Sequence, residues 1–129
     1  DTDLVARLVD VRPDGLALNV QEGALRLRYR NGMEHPALLK PGETVQVAVD
    51  MRSIAYTFQP GHRLRLHITS SSFPRLERNL NTGGRNFDES SGRVAINRVF
   101  HSSEKQSWLE LPVLPDSDAA TGTNARGGN

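Results

Sequence analysis

Hydrophobic residues in this chain recur with a period of two. They do so in short runs cut off by turn signals, and no run of ten or more residues has the three-and-four spacing of a helix. Leu25, Leu27 and Tyr29 alternate with Arg26, Arg28 and Arg30, and Leu64, Leu66 and Ile68 alternate with Arg63, Arg65 and His67. Val45, Val47, Val49 and Met51 repeat the pattern against Gln46 and Asp50. Successive side chains of a strand point to opposite faces, so each run predicts a strand with one apolar and one wet face. The pattern disfavours an α/β domain with crossover helices and predicts an all-β one.

Eight segments read as strands: 3–11, 16–20, 24–30, 44–51, 55–58, 63–70, 93–100 and 108–113, a number that suits a sandwich. Pro13-Asp14-Gly15 is a tight-turn signal that would join the first two as a hairpin. Asn31-Gly32, Pro41-Gly42 and Pro60-Gly61 bracket later segments. Residues 71–92 are different: rich in Ser, Asn, Gly and Arg, without periodicity, and longer than an ordinary connection. Such a stretch inside a compact domain is expected to be packed or functional. Residues 116–129 have almost no apolar bulk and read as a flexible tail after a single domain over 1–115. The chain opens on Asp1 with no Met and runs straight into a strand pattern, which reads as a piece of something longer.

Charge and composition narrow the function. Sixteen basic against fifteen acidic residues leave a net charge of +1, without the concentrated positive field of a nucleic-acid binder, and aromatics are 5% of the chain. No nucleic-acid partner is expected. Fourteen of the sixteen basic residues are Arg, which fits a composition bias better than anion recognition. The stripe Arg26, Arg28, Arg30 reads as a solvated or docked sheet face, whereas Arg75, Arg78 and Arg85 in the long loop suit forked hydrogen bonds to carbonyls or carboxylates. No apolar run approaches the roughly 18 residues a membrane span needs, so no membrane partner is expected. The absence of cysteine removes disulfides, thiolate metal sites and a cysteine nucleophile, without deciding a compartment.

Catalytic chemistry is hard to place. No serine lies in a Gly-x-Ser-x-Gly frame, and Ser70, Ser71 and Ser72 at a strand end suit backbone hydrogen bonding better than attack on an acyl group. His62 and His67 are five apart and would face opposite ways on one strand, so they do not share a metal, and His35 and His101 lack a motif. Asp1/Asp3, Asp88/Glu89 and Asp14-Gly15 lack calcium-loop spacing. No metal or cofactor is expected. Trp108, Tyr29 and Tyr56 fall in or beside predicted strands, where core packing is the expected use rather than a sugar platform.

One long stretch carries a resemblance: Gly61-His62-Arg63-Leu64-Arg65-Leu66-His67-Ile68-Thr69-Ser70-Ser71-Ser72-Phe73-Pro74-Arg75-Leu76-Glu77-Arg78-Asn79-Leu80-Asn81-Thr82-Gly83-Gly84. Together with Asp1-Thr2-Asp3, Leu8-Val9-Asp10-Val11, Pro13-Asp14-Gly15, residues 39–42, Ala95-Ile96-Asn97 and the stretch from His101 to Leu111-Pro112, it resembles the C-terminal domain named after X-Pro dipeptidyl-peptidase. That group takes in cocaine esterases, α-amino-acid ester hydrolases and glutaryl acylases. The resemblance implies a jelly-roll β-sandwich, galactose-binding-like, whose first strands precede residue 1. It also implies a partner α/β-hydrolase domain outside this chain, with a Ser-His-Asp triad that cleaves esters or amides. This domain would then be non-catalytic, helping to shape the cleft and the assembly. Ser72 departs from the family's more frequent Asn before Phe-Pro. Phe73, Pro74, Arg75, Arg78, Asn79 and Asn81 are expected to form a structural loop that doubles as a domain interface. Arg78, Asn79 and Asn81 would tie it internally, with Arg78→Ala costing more than about 0.5 kcal/mol. An open sheet edge predicts self-association. The competing expectation is a free-standing sandwich that binds a ligand such as carbohydrate.

Overall fold

The computed structural model describes residues 1–114; the tail expected over 116–129 lies outside the described residues. Two compact units are present, Asp1–Ala95 and a second from Ile96 onward. The first contains an antiparallel sheet of three strands, β1 (Asp3–Val11), β2 (Ala17–Arg26) and β3 (Arg63–Thr69), in the order β2-β1-β3. Two short 3-10 turns, Leu27–Tyr29 and Asn86–Asp88, complete its regular structure.

β1 is central and carries the core. Val5, Ala6, Leu8, Val9 and Val11 are all buried, so apolar residues of both its faces are covered. Each fully buried Val or Leu stabilises the fold by roughly 1.5–3 kcal/mol over its exposed state. The β1–β2 hairpin turns at Pro13-Asp14-Gly15 as expected: the Arg12 N–H donates to Leu16 O at 2.8 Å, and the Leu16 N–H to Asp14 Oδ1 at 2.9 Å. Between Leu8 and Val9 the register slips, and Val20 of β2 has no residue opposite it. This bulge puts Leu18 beside Asp10, with Gln21 beside Leu8 and Gly23 beside Ala6.

The register sorts the sheet into two unlike faces. One holds Leu4, Ala6, Leu8 and Asp10 of β1 with Leu64, Leu66 and Ile68 of β3. The other sets Arg7, Val9 and Val11 beside His67, Arg65 and Arg63. The alternation of 63–68 was thus legible, but its aliphatic side chains are 37–44% exposed on a strand that has β1 as its one neighbour among the described residues.

Strand expectations elsewhere need correction. Segment 16–20 and the first three residues of 24–30 merge into β2, which stops at Arg26 because β1 offers no partner before Asp3. The backbone then curls into the 3-10 turn at Leu27–Tyr29, with the Leu27 N–H donating to Thr2 O at 2.9 Å. Segments 44–51, 55–58, 93–100 and 108–113 form no ladder. A strand exists only against a neighbour, and among the described residues these have none. In 45–51 the period-two signal survives as burial: Val45, Val47, Val49 and Met51 are half-buried while Gln46, Ala48 and Asp50 are exposed. This segment runs hard against β2, where a Cβ on Gly23 would sit 2.3 Å from Asp50 O.

In the second unit the described residues contain neither strand nor helix. Lys105 Nζ stands 4.6 Å from the centre of the Phe100 ring, and Trp108 is 65% exposed. Core packing is not the use of Trp108, nor of Tyr56, which is also exposed, because the strands expected to bury them do not form.

Candidate functional site

The polar side chains that matter gather on β1 and its two neighbours and hold the long loop against the sheet. As β3 ends, Thr69 Oγ1 donates to Ser71 O at 2.7 Å and accepts from the Ser71 N–H at 3.2 Å, which turns the chain out of the sheet. Ser72 is buried: its Oγ accepts from Arg7 Nη2 at 2.6 Å and donates to Glu22 Oε1 at 3.2 Å. Glu22 is the hub, accepting from Arg7 across the β1–β2 pair and from Arg75 of the loop. Burial works against its charge, but the hydrogen bonds and charges of Arg7 and Arg75 outweigh that and hold the carboxyl below its ordinary range. Between Ser72 and Arg75 the Phe73-Pro74 peptide bond is cis, with Phe73 74% exposed.

A second knot fixes the middle of the loop. Asn79 is buried and donates from Nδ2 to Asp3 Oδ1 at 2.6 Å and Asp1 Oδ2 at 3.1 Å, while its Oδ1 accepts from the Asn81 N–H at 2.9 Å. Asn81 adopts φ +60°, a region Asn tolerates better than most residues, and donates from Nδ2 to Arg93 O at 2.9 Å. Asn86 Nδ2 reaches Arg78 O at 2.8 Å. Backbone groups that no ladder satisfies are thereby paired.

The sequence-predicted residues thus divide. Arg75 and Asn79 fasten the loop to Glu22, Asp3 and Asp1, and Asn81 ties it within itself. The Arg78 side chain does not: it is exposed, and its carbonyl is what the loop uses. Arg85 is exposed, with Asp88 Oδ2 4.0 Å away. The arginine stripe is neither solvated nor free for docking. Arg26 grips Asp3 at 3.0 and 3.3 Å, and Arg28 takes Asp1 Oδ2 at 2.8 Å and Gly84 O at 3.1 Å. Arg30 donates to Leu27 O and Ala37 O.

A cluster the sequence reasoning missed lies on the opposite face. Asp10, 1% exposed in the middle of the apolar β1 run, accepts from Tyr56 Oη at 2.7 Å, and His62 Nδ1 lies 2.8 and 3.0 Å from its two oxygens. Burial again opposes the charge, but His62 and Tyr56 outweigh it and lower the Asp10 pKa, while Asp10 raises that of Tyr56 by holding its proton. The Pro60-Gly61 turn, with Gly61 at φ +80°, delivers His62 to this place. The signal was a lone carboxylate in an aliphatic strand and a histidine directly after a Pro-Gly turn. Asp10 and His62 form a carboxylate–imidazole pair, and among the described residues no serine hydroxyl is bonded to it. Ser72 belongs to Glu22 and Arg7, on the other face. Among the described residues no group of three potential ligands gathers for a metal ion, and no helix is long and apolar enough to cross a membrane.

Fold and site together define a β domain whose polar groups hold loops in place. The chain belongs to the family described as the X-Pro dipeptidyl-peptidase C-terminal non-catalytic domain, a β-sandwich family whose model matches residues 1–110. It is 41% identical over 116 residues to the cocaine esterase of Rhodococcus sp., covering 88% of this chain and 20% of that protein. Proteins named as serine esterases in Mycobacterium bovis and Mycobacterium tuberculosis are each 27% identical over 124 residues, covering 83% of this chain and 18% of theirs. The chain therefore spans about a fifth of the length of these relatives.

Proposed function

We propose that this domain serves as the accessory part of a serine hydrolase, an acyl esterase, acylase or dipeptidyl-peptidase-like enzyme. Its Ser-His-Asp triad would lie in an α/β-hydrolase domain outside residues 1–129. One observation carries the reading: the loop serine and the carboxylates that could serve a hydrolase are committed to holding backbone and loops, with Ser72 on Glu22 and His62 on Asp10. The relatives' names and the share of them this chain covers supply the enzyme class. The domain's work is then mechanical: it supplies a rigid wall and a docking surface. The test compares turnover of p-nitrophenyl butyrate by this chain and by the full-length polypeptide. Turnover by the longer protein alone supports the reading, and turnover by this chain refutes it. A full-length frame with no Gly-x-Ser-x-Gly domain upstream or downstream also refutes it.

Self-association is the second part of the proposal, and β3 suggests its form. Antiparallel pairing of two β3 strands at their midpoints would set Arg65 opposite His67 of the second copy, close to further basic side chains, an unfavourable cross-strand arrangement. Packing of the exposed Leu64, Leu66 and Ile68 faces against each other buries aliphatic surface without that cost. Light scattering at increasing concentration checks it: Leu66→Lys is expected to give monomer, and a wild-type chain that stays monomeric at high concentration refutes it.

A further inference from the structure

The accessory reading does not say which surface meets the hydrolase domain, and the loop after β3 supplies an answer. Phe73 is 74% exposed, yet its neighbours are among the most firmly held residues in the loop. Ser72 is buried on Arg7 and Glu22, Arg75 is paired with Glu22, and the Leu76 N–H closes the turn on Ser72 O at 3.0 Å. A ring held out by so braced a turn forfeits little ordering entropy on binding, and aromatic anchors of this kind dominate interface energetics. The surroundings carry a net positive charge: Arg7, Arg75 and the exposed Arg78 stand against Glu22 and the exposed Glu77.

We infer that Phe73, with Pro74, is the anchor by which this domain docks on the α/β-hydrolase domain of its own polypeptide. The ring enters an apolar pocket rimmed by Asp or Glu side chains that receive Arg78 and the outer N–H groups of Arg75. The inference rests on the accessory-domain reading. A second copy of this chain fits poorly as occupant, because an isologous contact would bring one cationic rim onto another. The relatives also place about four-fifths of their length outside the region this chain matches, which leaves room for an occupant within the same polypeptide. Phe87 is an internal contrast. It is more exposed, at 90%, but its turn is pinned within the loop, by Asn86 on Arg78 O and the Leu80 N–H, instead of to the sheet.

The experiment uses the full-length protein with the photoreactive residue p-benzoylphenylalanine in place of Phe73, and separately in place of Phe87, followed by peptide mapping. The expected result is an intramolecular crosslink from position 73 to an acidic peptide of the hydrolase domain, lost in the Arg78→Glu background, and none from position 87. A crosslink between two copies, a crosslink within residues 1–129, or no crosslink from position 73 overturns the inference. Because Phe73 is exposed, Phe73→Asp is expected to fold and to speed protease cleavage between the domains, whereas Phe87→Asp leaves cleavage unchanged. Equal cleavage of both variants also overturns it. Failure of the underlying reading looks different: the full-length protein then has no hydrolase domain or no ester turnover. An active hydrolase without the crosslink leaves that reading standing and removes only this docking surface.

Discussion

The two faces of β1 solve the same problem by different means. Each must hold a stretch of chain that pairs with no strand. On the Asp10 face, the segment leading to His62 is fastened by aliphatic side chains, a close backbone approach at Gly23 and one buried carboxylate with two donors. On the Arg7 face, the loop over 71–92 is fastened by ion pairs and amides spread over Glu22, Asp1, Asp3 and Asn79. The first arrangement concentrates its polar risk in a single residue, while the second distributes it. A buried polar group costs most when its partners are removed, so the first face should fail abruptly and the second by degrees.

Asp10→Ala should therefore lower the urea midpoint more than any other single substitution named here, since it leaves His62 and Tyr56 without their acceptor. If Glu22→Ala proves costlier, the contrast between the faces is wrong. Gly23→Ala on the Asp10 face is expected to cost roughly 3 kcal/mol, because its Cβ meets backbone atoms of Asp50 and Met51 that cannot swing aside. Glu22→Ala should cost about 2 kcal/mol, with Glu22→Gln in between, measured by the same titration.

Acid sharpens the comparison further. The Asp10 and Glu22 carboxyls both sit below their ordinary values in the folded chain, so unfolding takes up protons at low pH. Their stabilisation is fully present above the unfolded carboxylate range near pH 4 and is lost as pH falls through the lower folded values. Urea midpoints measured from pH 7 down to pH 3 should hold steady at first and then fall, with a shallower fall in Glu22→Gln. The smallest effect belongs to Arg78→Ala, expected within about 0.5 kcal/mol because the side chain is exposed and the loop bonds to the Arg78 carbonyl instead.

What the sequence disclosed followed from local chemistry. The Pro13-Asp14-Gly15 hairpin, the alternation in β3 and the internal bonding of the long loop through Asn79 and Asn81 are all written in residue type and spacing. What it hid depended on partners far along the chain. No periodicity shows that Asp10 waits for His62, 52 positions later, or that Arg28 closes on Asp1 instead of facing water. The alternating segment over 44–51 shows the limit of pattern reading. Its faces were right and its ladder was absent, because periodicity reports which side is apolar and says nothing about which strand lies next to it.

The unpaired Val20 in β2 divides the hairpin into two mechanically separate stretches. On the turn side, Ala17 to Asn19 pair with Val9 to Val11, and on the far side Arg7 stands opposite Glu22. A residue gained or lost near the turn can be absorbed by making or removing that slack position, so the error stops before it reaches the Glu22 hub. The hairpin tip is thereby free to change length over evolutionary time while the clamp that sets the loop, and with it the outward ring of Phe73, keeps its alignment.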